Sequence, residues 1–317
     1  MSVLLETRHL KRYFNTSGGM LHAVDDVNLK VEEATTLGVV GESGCGKATL
    51  GRAVLRLVEP TSGEILFNGQ DVAKMNKAQL SQFRHQAQTI FQDPYASLNP
   101  RMTVSEIIAE PLIAGHVIQN SADRDKAVFK AMDTVGLAAR LVNTYPHELD
   151  GGRRQRIGIA RALILNSKFV VCDEPESALD VSIQAQILNL LMDLQEEKKL
   201  TYLFITHDLS VVKHISDEIA VMYLGQCVER GPTAEIFRNP LHPYTKALLQ
   251  AIPVPDLSHR GVKREVLKGE VSSPINPKPG CRFAARCPFV GEKCRCGDVP
   301  LQEVTPGHFA ACVLTRS

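Results

Sequence analysis

Residues 36–49 read TLGVVGESGCGKAT, and this stretch decides the fold. Its first five residues form an apolar run with the length and composition of a buried strand. Three glycines and a lysine follow in residues 41–47, and a helical pattern begins at Lys47. Glycines let backbone N–H groups approach phosphate oxygens, and a helix N-terminus adds a favourable dipole. This order of strand, glycine loop and helix predicts a P-loop, which binds phosphate.

The loop and the start of the helix are therefore the predicted nucleotide site. Lys47 is expected to reach the β- and γ-phosphates of a nucleoside triphosphate. The alternative is a chance glycine loop, but the other motifs described below agree with a P-loop. The predicted ATP-binding residues of this stretch are Gly41, Glu42, Ser43, Gly44, Cys45, Gly46, Lys47, Ala48 and Thr49.

A second motif, FVVCDE at residues 169–174, places two carboxylates at the end of an apolar strand. Ligands of open α/β sheets bind outside the carboxyl ends of the strands. We therefore expect Asp173 to hold Mg²⁺, usually through water, and Glu174 to polarise the attacking water. The alternative is a pair of exposed carboxylates without a role, which the spacing from the P-loop argues against.

The composition is that of an ordinary globular protein. The 317 residues are 44% hydrophobic and 22% charged, and 36 Lys and Arg balance 35 Asp and Glu. This balance argues against binding nucleic acid through bulk positive charge. No apolar run approaches the ~18 residues of a membrane-spanning helix, and charges from Glu6 onwards exclude a signal-peptide core. We expect a cytosolic chain whose membrane role depends on partners.

Strands and helices alternate along the chain, which predicts an α/β fold with a parallel sheet covered by helices. Residues 93–150 are predicted as a helical insertion bounded by prolines, and residues 252–280 as a proline-rich linker or wrapping tail. The predicted helices are 47–57, 103–114, 123–140, 153–165, 181–197 and 243–250. The predicted strands are 24–31, 36–40, one within 61–72, 88–92, 169–172, 202–205 and a hairpin at 218–229.

Together these motifs resemble the ATP-binding-cassette (ABC) family over residues 1 to about 250. LDGGRRQR at 149–156 lies where the family has its signature motif, and SALD at 177–180 resembles its D-loop. The resemblance implies catalytic roles for Glu174, for the switch histidine His207 and for the Q-loop residue Gln92, which also contacts Mg²⁺. The residues expected to serve a partner's ATP site are Leu149, Asp150, Gly151, Gly152 and Arg153, and the D-loop is Ser177, Ala178, Leu179 and Asp180.

The aromatic residue that stacks on adenine in this family corresponds to Tyr13, with Phe14 as the alternative. The resemblance also implies the rest of the fold: an N-terminal antiparallel β subdomain, a mixed or parallel sheet core and a helical subdomain at about 93–150. Residues 1–250 would form the nucleotide-binding domain, and residues 251–317 a cysteine-rich C-terminal extension.

A narrower resemblance links the chain to the ATPase subunits of oligopeptide and dipeptide importers, and among those to the second ATPase of the pair. It rests on FQDPYASLNPRMTV at 91–104, NPLHPYTKALL at 239–249 and SPINPKPGCRFAARCP at 273–288. It implies a heterodimer with a sister ATPase on the cytoplasmic face of the membrane. Two permease subunits would contact residues 95–101 and the helical insertion, and an external binding protein would deliver the peptide. The cargo is not encoded, so nickel chelates and similar solutes stay open.

Two positions depart from the pattern of a competent ATPase. Ala48 replaces the serine whose hydroxyl ligates Mg²⁺ in the family, and Thr49 comes one residue too late to substitute. Asp150 replaces the serine that hydrogen-bonds the γ-phosphate across the dimer, and its charge would oppose that of phosphate. Asp is as good a helix N-cap as Ser, so folding should not suffer, and Arg153 and Arg154 would partly neutralise it. The sequence does not tell whether Ala48 is natural or engineered.

The eight cysteines fall into two sets. Cys45, Cys172 and Cys227 lie in apolar or glycine-rich runs and are expected to be small buried hydrophobic residues. The other set is separated by 5, 6 and 17 residues, gaps that match neither zinc ribbons nor ferredoxins. Some members of the resembled subfamily carry a [4Fe–4S] cluster on the matching cysteines, and Zn and free thiols are the alternatives. The predicted ligands are Cys281, Cys287, Cys294 and Cys312, with Cys296 as a fifth candidate and His308 nearby.

Two other functions compete with an importer ATPase. One is a soluble cassette ATPase that acts on ribosomes or DNA, but such proteins usually carry two cassettes or a long coiled coil. RRQR at 153–156 is better explained as a solvated helix start than as a nucleic-acid patch. The other is a non-catalytic nucleotide-binding subunit, which Ala48 and Asp150 favour. Co-purification with two membrane-spanning subunits would separate a transporter from a soluble ATPase.

Overall fold

The structure is a computed structural model that describes residues 2–177, 179–252 and 273–315. Residues 253–272 of the predicted linker and Ala178 of the predicted D-loop lie outside the described residues. The chain divides into two compact units, which are described separately. Unit 1 consists mainly of Lys74–Leu203, and unit 2 combines Val3–Val31, Thr36–Ala73 and Phe204–Ser317.

The β-strands range from long to very short. They are β1 Val3–Thr16, β2 Gly19–Glu32, β3 Thr36–Val40, β4 Ser62–Phe67, β5 Gln70–Asp71, β6 Ala87–Ile90, β7 Phe169–Asp173, β8 Thr201–Ile205, β9 Glu218–Tyr223, β10 Gln226–Pro232, β11 Gln302–Thr305 and β12 His308–Ala310.

The α-helices lie between the strands and in the insertion. They are α1 Lys47–Val54, α2 Lys77–Gln86, α3 Val104–Ala114, α4 Ser121–Thr134, α5 Gly151–Leu163, α6 Val181–Lys198, α7 Leu209–Ile215, α8 Thr233–Arg238 and α9 Pro243–Ala251. The short 3₁₀ helices are Val72–Lys74, Ala139–Leu141, Pro146–Glu148, Glu292–Cys294 and Val313–Thr315.

Unit 2 contains two sets of strands. The first has the order β2-β1-β4-β5, in which β1 pairs with β4 and β4 with β5 in antiparallel fashion. This is the N-terminal antiparallel sheet that the resemblance implies. In the second set, of order β11-β12-β10-β9-β3, β3 runs parallel to β9 while β10 and β12 are antiparallel to their neighbours. The mixed sheet places the P-loop at the carboxyl end of β3.

A buried hydrogen-bond network connects the C-terminal strands with the rest of unit 2. Glu229 of β10 is fully buried, and its carboxylate lies 2.8 Å from Nε2 of His308 in β12. It also accepts the backbone N–H groups of Leu241 and His242. A buried carboxylate is tolerated only with such partners, so this network determines where β12 pairs with β10.

Unit 1 contains the helical insertion, which begins with α3, the helices α2, α5 and α6, and the strands β8-β7-β6, where β6 and β7 are parallel. The strand β8 crosses the boundary, because only its first three residues belong to this unit. Helix α3 packs on α4 and α5, and its apolar face is buried at Val104, Ile107, Ile108 and Leu112. Thr103 and Glu106 form a capping box at its start.

Most predicted elements are confirmed, with small shifts at their ends. The strand at 36–40 has the bounds predicted, and the helix predicted at 47–57 ends at Val54. The helix predicted at 123–140 is wrong at its carboxyl end: α4 stops at Thr134, and Gly136 follows with φ +68°. A left-handed residue ends an α-helix because it turns the chain out of the helical path.

The described residues contain no helix that is long and apolar enough to cross a membrane. The cysteines at 45, 172 and 227 are all buried, as predicted for small hydrophobic residues.

Candidate nucleotide-binding site

The P-loop of unit 2 has the backbone that its glycines predict. Gly46 has φ +104° and caps helix α1, and an added Cβ there would lie 2.0 Å from the carbonyl oxygen of Ala23. Gly41 is similar, since a Cβ would lie 2.2 Å from the carbonyl oxygen of Met222. Only glycine fits these two positions. The loop therefore has the tight curvature that directs backbone N–H groups towards a bound anion.

Lys47 is buried at the base of this loop. Its ammonium group donates to the carbonyl oxygens of Gly41 at 2.7 Å and Glu42 at 3.1 Å. Cys45 is also buried, and burial raises the pKa of its thiol, so this cysteine stays neutral. Lys47 supplies the positive charge of the loop. The motif predicts this charge for the residue that binds phosphates.

Ala48 lies in the first turn of α1, directly after Lys47. Its methyl group offers no oxygen at the position where the resemblance implies a magnesium ligand. Oxygen atoms are the ligands that Mg²⁺ prefers. Any Mg²⁺ at this site must therefore be held by oxygens from elsewhere in the chain, from the nucleotide and from water.

The candidate adenine platform is Tyr13 on β1. Its ring stacks on His22, with ring centroids 3.9 Å apart and planes inclined by 22°, and its hydroxyl donates to the Asp25 carboxylate. Burial and this carboxylate raise the pKa of Tyr13, so it remains a neutral donor. The alternative residue, Phe14, has the guanidinium group of Arg12 over its ring at 4.3 Å.

The carboxylates of unit 1 lie at the end of β7. Asp173 is buried in the last position of the strand. Glu174 follows with φ +44°, a left-handed conformation that is uncommon outside glycine and clusters at functional sites. Nε2 of Gln92 donates to Oε2 of Glu174 at 3.0 Å. The structure thus brings the predicted water-polarising residue and the Q-loop residue together.

The donor chemistry at this end of β7 fits a hard cation. Asp173 supplies a carboxylate, and Gln92 supplies an amide oxygen because its nitrogen is used by Glu174. Both are ligand types that Mg²⁺ takes. Within the described residues, no group of three or more His, Cys, Asp or Glu side chains is arranged to hold a metal by itself. The nucleotide phosphates would have to complete such a site.

The signature segment begins helix α5. Asp150 is the N-cap, and its Oδ1 accepts the Arg153 backbone N–H at 2.8 Å, which confirms the predicted capping role. The Arg153 guanidinium lies 3.4 Å from the Asp150 carboxylate, whereas Arg154 donates to the Pro146 carbonyl and lies over the Tyr95 ring. Of the two arginines expected to offset Asp150, Arg153 is thus the one in contact. The Asp150 side chain is 54% exposed.

The remaining motif residues lie in turns that lead into helices. In the D-loop, Ser177 donates its backbone N–H to the Glu174 carbonyl at 3.1 Å, and Asp180 is the N-cap of α6. In unit 2, His207 is exposed after β8, and Asp208 caps α7 by accepting from Ser210. Gly152 lies close to α6, since an added Cβ would meet Ile183 at 2.8 Å.

The four cysteines predicted as ligands in the C-terminal extension are partly or fully buried. Burial raises the pKa of Cys281 to about 11, and the charges of Cys294, Cys312 and Cys287 add to the rise. The pKa values of Cys287 and Cys312 are raised in the same way. Cys296 is exposed and is absent from these interactions. Within the described residues, the four predicted ligands do not form a group arranged to hold a metal.

Two backbone and packing contacts involve these cysteines. Cys281 donates its backbone N–H to the Cys294 carbonyl at 2.8 Å, and Cys281 and Cys287 pack against the buried cluster that contains Tyr223 and Phe283. Thiolates are ligands of both iron–sulfur clusters and zinc, so the residue types suit such a group.

The sequence reasoning missed the residues that connect the C-terminal extension to the P-loop. Arg286 donates to both carboxylate oxygens of Glu42, at 2.7 and 3.0 Å. Arg282 donates to the Asp25 carboxylate, the group that also binds Tyr13. Two arginines flanked by cysteines in CRFAARC, residues 281–287, were the available signal, but the sequence does not show their distant partners.

Two family descriptions match the chain. "ABC transporter" matches residues 24–177, and "Oligopeptide/dipeptide transporter, C-terminal region" matches residues 228–294. The putative oligopeptide transport ATP-binding protein YkfD of Bacillus subtilis is 50% identical over 99% of this chain and 96% of its own length. The oligopeptide transport ATP-binding protein OppF of Salmonella typhimurium is 51% identical over 98% of this chain and 96% of its own length.

Solved structures show the same fold. The ATP-binding cassette MJ0796, in a dimer with ADP and phosphate, aligns with a TM-score of 0.66 at 27% identity, over 72% of this chain and 98% of that one. The protein cbiO1 of Clostridium perfringens aligns with a TM-score of 0.67 at 26% identity, over 75% of this chain and 92% of that one. The chain therefore belongs to the ABC transporter family, as an ATPase with the P-loop α/β fold of the ATP-binding cassette.

Proposed function

We propose that this ABC ATPase energises the import of short peptides. The observation that carries the proposal is the presence of two parts in one chain. One is a P-loop whose glycines have the backbone that the motif requires and whose lysine is buried. The other is the C-terminal region matched at residues 228–294. The relatives named for oligopeptide transport align over nearly their full length, which supports a shared cargo class.

In the proposed reaction, the P-loop and Lys47 bind the phosphates, and Tyr13 supports the adenine. Asp173 and Gln92 hold Mg²⁺, which offsets phosphate charge when bound. Glu174 orients the attacking water and receives its proton, while Gln92 fixes the Glu174 carboxylate through the 3.0 Å hydrogen bond. His207 acts as the switch histidine near the γ-phosphate. Positioning and electrostatic stabilisation supply most of the catalysis in phosphoryl transfer.

The proposed assembly is a heterodimer with a sister ATPase beneath two permease subunits, on the cytoplasmic face of the membrane. Residues 1–250 serve as the nucleotide-binding domain, with the helical subdomain at about 93–150, and residues 251–317 form the extension. Exposed aromatic side chains at Phe91 and Tyr95, beside the Q-loop, support a partner surface there. A periplasmic or extracellular binding protein supplies the peptide.

One of the two composite ATP sites in this assembly turns over slowly. It combines the sister's P-loop with the signature of this chain, where Asp150 brings a carboxylate towards phosphate. The exposed Asp150 side chain, with a single arginine at 3.4 Å, supports this view. The other site uses the P-loop of this chain and carries only the Ala48 change. A subunit that binds nucleotide without hydrolysis is the alternative that these two residues favour.

We further infer that Cys281, Cys287, Cys294 and Cys312 hold a [4Fe–4S] cluster with a structural role, with Zn as the alternative. The partial or full burial of these cysteines and the 2.8 Å backbone hydrogen bond from Cys281 to Cys294 support it. Iron and acid-labile sulfide analysis with a visible absorption spectrum tests this. Cys287→Ser should abolish the absorption, and Cys296→Ser, a change at the exposed cysteine, should not. Iron-free protein with stoichiometric zinc would identify the alternative.

The transport proposal is tested by reconstituting the chain with its sister ATPase, both permeases and the binding protein in vesicles. We expect ATP-dependent uptake of a labelled tripeptide that stops when Lys47 is replaced by Ala. Uptake that continues with this variant, or ATP turnover without any association with permeases, would overturn the proposal. Uptake of a nickel chelate but of no peptide would reject the peptide cargo alone.

A further inference from the structure

One segment of the C-terminal extension that contacts the nucleotide site of unit 2 is residues 281–287, which we call the arginine segment. Within it, Phe283 is buried and packs on Tyr223 and Tyr244, with ring centroids 5.3 and 5.4 Å away. Tyr223 ends β9, next to the P-loop, and the Tyr244 hydroxyl accepts the Glu42 backbone N–H at 2.9 Å. The segment is therefore anchored in the core that supports the P-loop.

The first contact of the arginine segment is with the phosphate-binding loop. Arg286 forms a bidentate salt bridge with Glu42, in which two guanidinium nitrogens lie 2.7 and 3.0 Å from the carboxylate oxygens. The Arg286 side chain is only 6% exposed. Such forked pairs fix geometry as well as charge. Glu42 belongs to the P-loop, and its backbone carbonyl accepts from Lys47. Arg286 thus holds the loop backbone and neutralises a carboxylate that would otherwise oppose phosphate.

The second contact is with the adenine platform. Arg282, also 6% exposed, donates to the Asp25 carboxylate and to the Leu224 carbonyl. Asp25 in turn accepts from Tyr13, whose ring is the candidate adenine contact. Gly225, the residue after Leu224, donates to the Cys45 carbonyl at 2.8 Å. Arg282 therefore connects the platform with the back of the P-loop.

A neighbouring part of the extension strengthens this link. Asn276 exchanges two hydrogen bonds with Met20, both 2.9 Å, and the Pro274 carbonyl accepts the His22 backbone N–H at 3.0 Å. His22 is the residue that stacks on Tyr13. Pro274 also lines a cavity of about 200 Å³ together with Glu42, Ser43 and Gly44. The extension is thus attached to the nucleotide-binding face at several independent points.

We propose that Arg286 and Arg282 are positioning residues for ATP, with separate targets. Arg286 sets the phosphate loop through Glu42, and Arg282 sets the adenine platform through Asp25 and Tyr13. The proposal rests on the proposed placement of ATP at the P-loop and Tyr13. It assigns to the C-terminal extension a direct part in nucleotide affinity.

The two targets can be separated with two ligands, mant-ATP and inorganic tripolyphosphate, because tripolyphosphate has no base. Binding is measured on the full-length chain, tripolyphosphate by displacement of mant-ATP. We expect Arg286→Ala to weaken both ligands about tenfold, the loss of one charge-assisted contact. Arg282→Ala should weaken mant-ATP several-fold and leave tripolyphosphate within about twofold of the wild type. A merely structural role would weaken both ligands equally in both variants.

Arg230→Ala is the matched control. Arg230 is also a poorly exposed arginine of unit 2 and pairs with Glu218 at 2.7 Å, but neither residue belongs to the loop or the platform. This variant should bind both ligands within about twofold of the wild type. A further test is rescue: adding Glu42→Gln to Arg286→Ala removes the uncompensated carboxylate and should recover most of the tripolyphosphate affinity.

Equal losses in Arg286→Ala and Arg230→Ala, or equal weakening of both ligands by Arg282→Ala, would overturn the proposal. If Arg286→Ala does not fold, Arg286→Lys keeps the charge without the fork and should still weaken both ligands. Unchanged binding by that variant would also overturn it. A wild-type chain that binds neither ligand would instead contradict the placement of ATP, so the two failures are distinct.

Discussion

The side-chain amide of Gln92 donates a 3.0 Å hydrogen bond to the carboxylate of Glu174, so the Q-loop and the end of β7 share one polar contact. The contact uses the amide nitrogen of Gln92, so the amide oxygen is the atom of this side chain that suits a cation. One hydrogen bond therefore sets the orientation of both residues that the proposed reaction needs.

Glu174→Gln should stop hydrolysis at the composite site built on this chain's P-loop while leaving ATP binding intact. The amide cannot accept a proton from the attacking water, and general-base contributions are worth about 10²–10⁴ in rate. The hydrogen bond with Gln92 can persist, because the amide oxygen still accepts. Hydrolysis is measured as phosphate release by the assembled transporter, and ATP binding is measured with mant-ATP. Glu197→Gln, on the exposed part of α6, is the control, and a Glu174→Gln transporter that hydrolyses ATP at the wild-type rate would exclude Glu174 as the base.

Ala48→Ser should increase ATP turnover at the site built on this chain's P-loop. The serine hydroxyl restores an oxygen beside Lys47, and one such ligand is worth about tenfold or more in metal affinity. The measurement is ATPase rate against Mg²⁺ concentration, with a lower half-saturation expected. Ala48→Cys adds a side chain of similar size without a hard oxygen and should show no gain. A gain equal to that of serine would argue for a packing effect.

Asp150→Ser should raise about tenfold or more the ATPase rate of the composite site that contains it, because a hydroxyl replaces a carboxylate there. The rate is measured in the assembled transporter with Glu174→Gln silencing the other site. Stability should change by less than about 0.5 kcal/mol, since both residues cap helices well. Asn76→Ser exchanges another N-cap, that of α2, away from the signature, and should leave the rate unchanged. An unchanged rate in Asp150→Ser would contradict the slow composite site.

Acid should destabilise the fold through His242. Burial lowers the pKa of this imidazole to about 4 from the model-compound value of 6.5, against the opposing effect of Glu229. The unfolded chain therefore binds the proton more strongly below pH 6.5. Stability contributed by neutral His242 is lost as the pH falls from 6.5 towards 4, at up to about 1.4 kcal/mol per pH unit.

Urea unfolding between pH 7.5 and 5 measures this loss in the wild type and in His242→Asn. Asparagine keeps the N-cap of α9, which His242 supplies through its Nδ1, but it does not titrate. The variant should lose less stability on acidification than the wild type. His214→Asn, at an exposed histidine of α7, should follow the wild type, and parallel curves for all three chains would contradict the assignment.

The sequence predicts local features well where the signal is contained within a few residues. Helix α3 begins where Thr103 and Glu106 form a capping box, and β3 has the apolar run that a buried strand needs. The helix predicted at 123–140 extends beyond the end of α4, because the helical pattern of the sequence continues past Gly136, where the backbone turns left-handed. Strands β11 and β12 were missed since their short sequences become strands only by pairing with β10.

The candidate site likewise combines residues that short motifs predict with distant contacts that no motif predicts. The residues of the P-loop, the carboxylates after β7 and the Asp150 cap can be inferred from motifs, because each motif is a short continuous stretch. The pairing of Arg286 with Glu42 spans 244 residues, and that of Arg282 with Asp25 spans 257. No local pattern specifies such partners. They depend on the packing of Phe283 against Tyr223 and Tyr244, which the fold alone determines.

The pairing of Glu229 with His308 has a consequence for how the protein is made. The two residues are 79 positions apart, so β10 leaves the ribosome well before the histidine that completes its environment. Until then the carboxylate has only backbone donors or water, and burial of an incompletely paired charge is strongly unfavourable. A nascent chain stalled between these positions should therefore keep β10 open to chaperones and proteases.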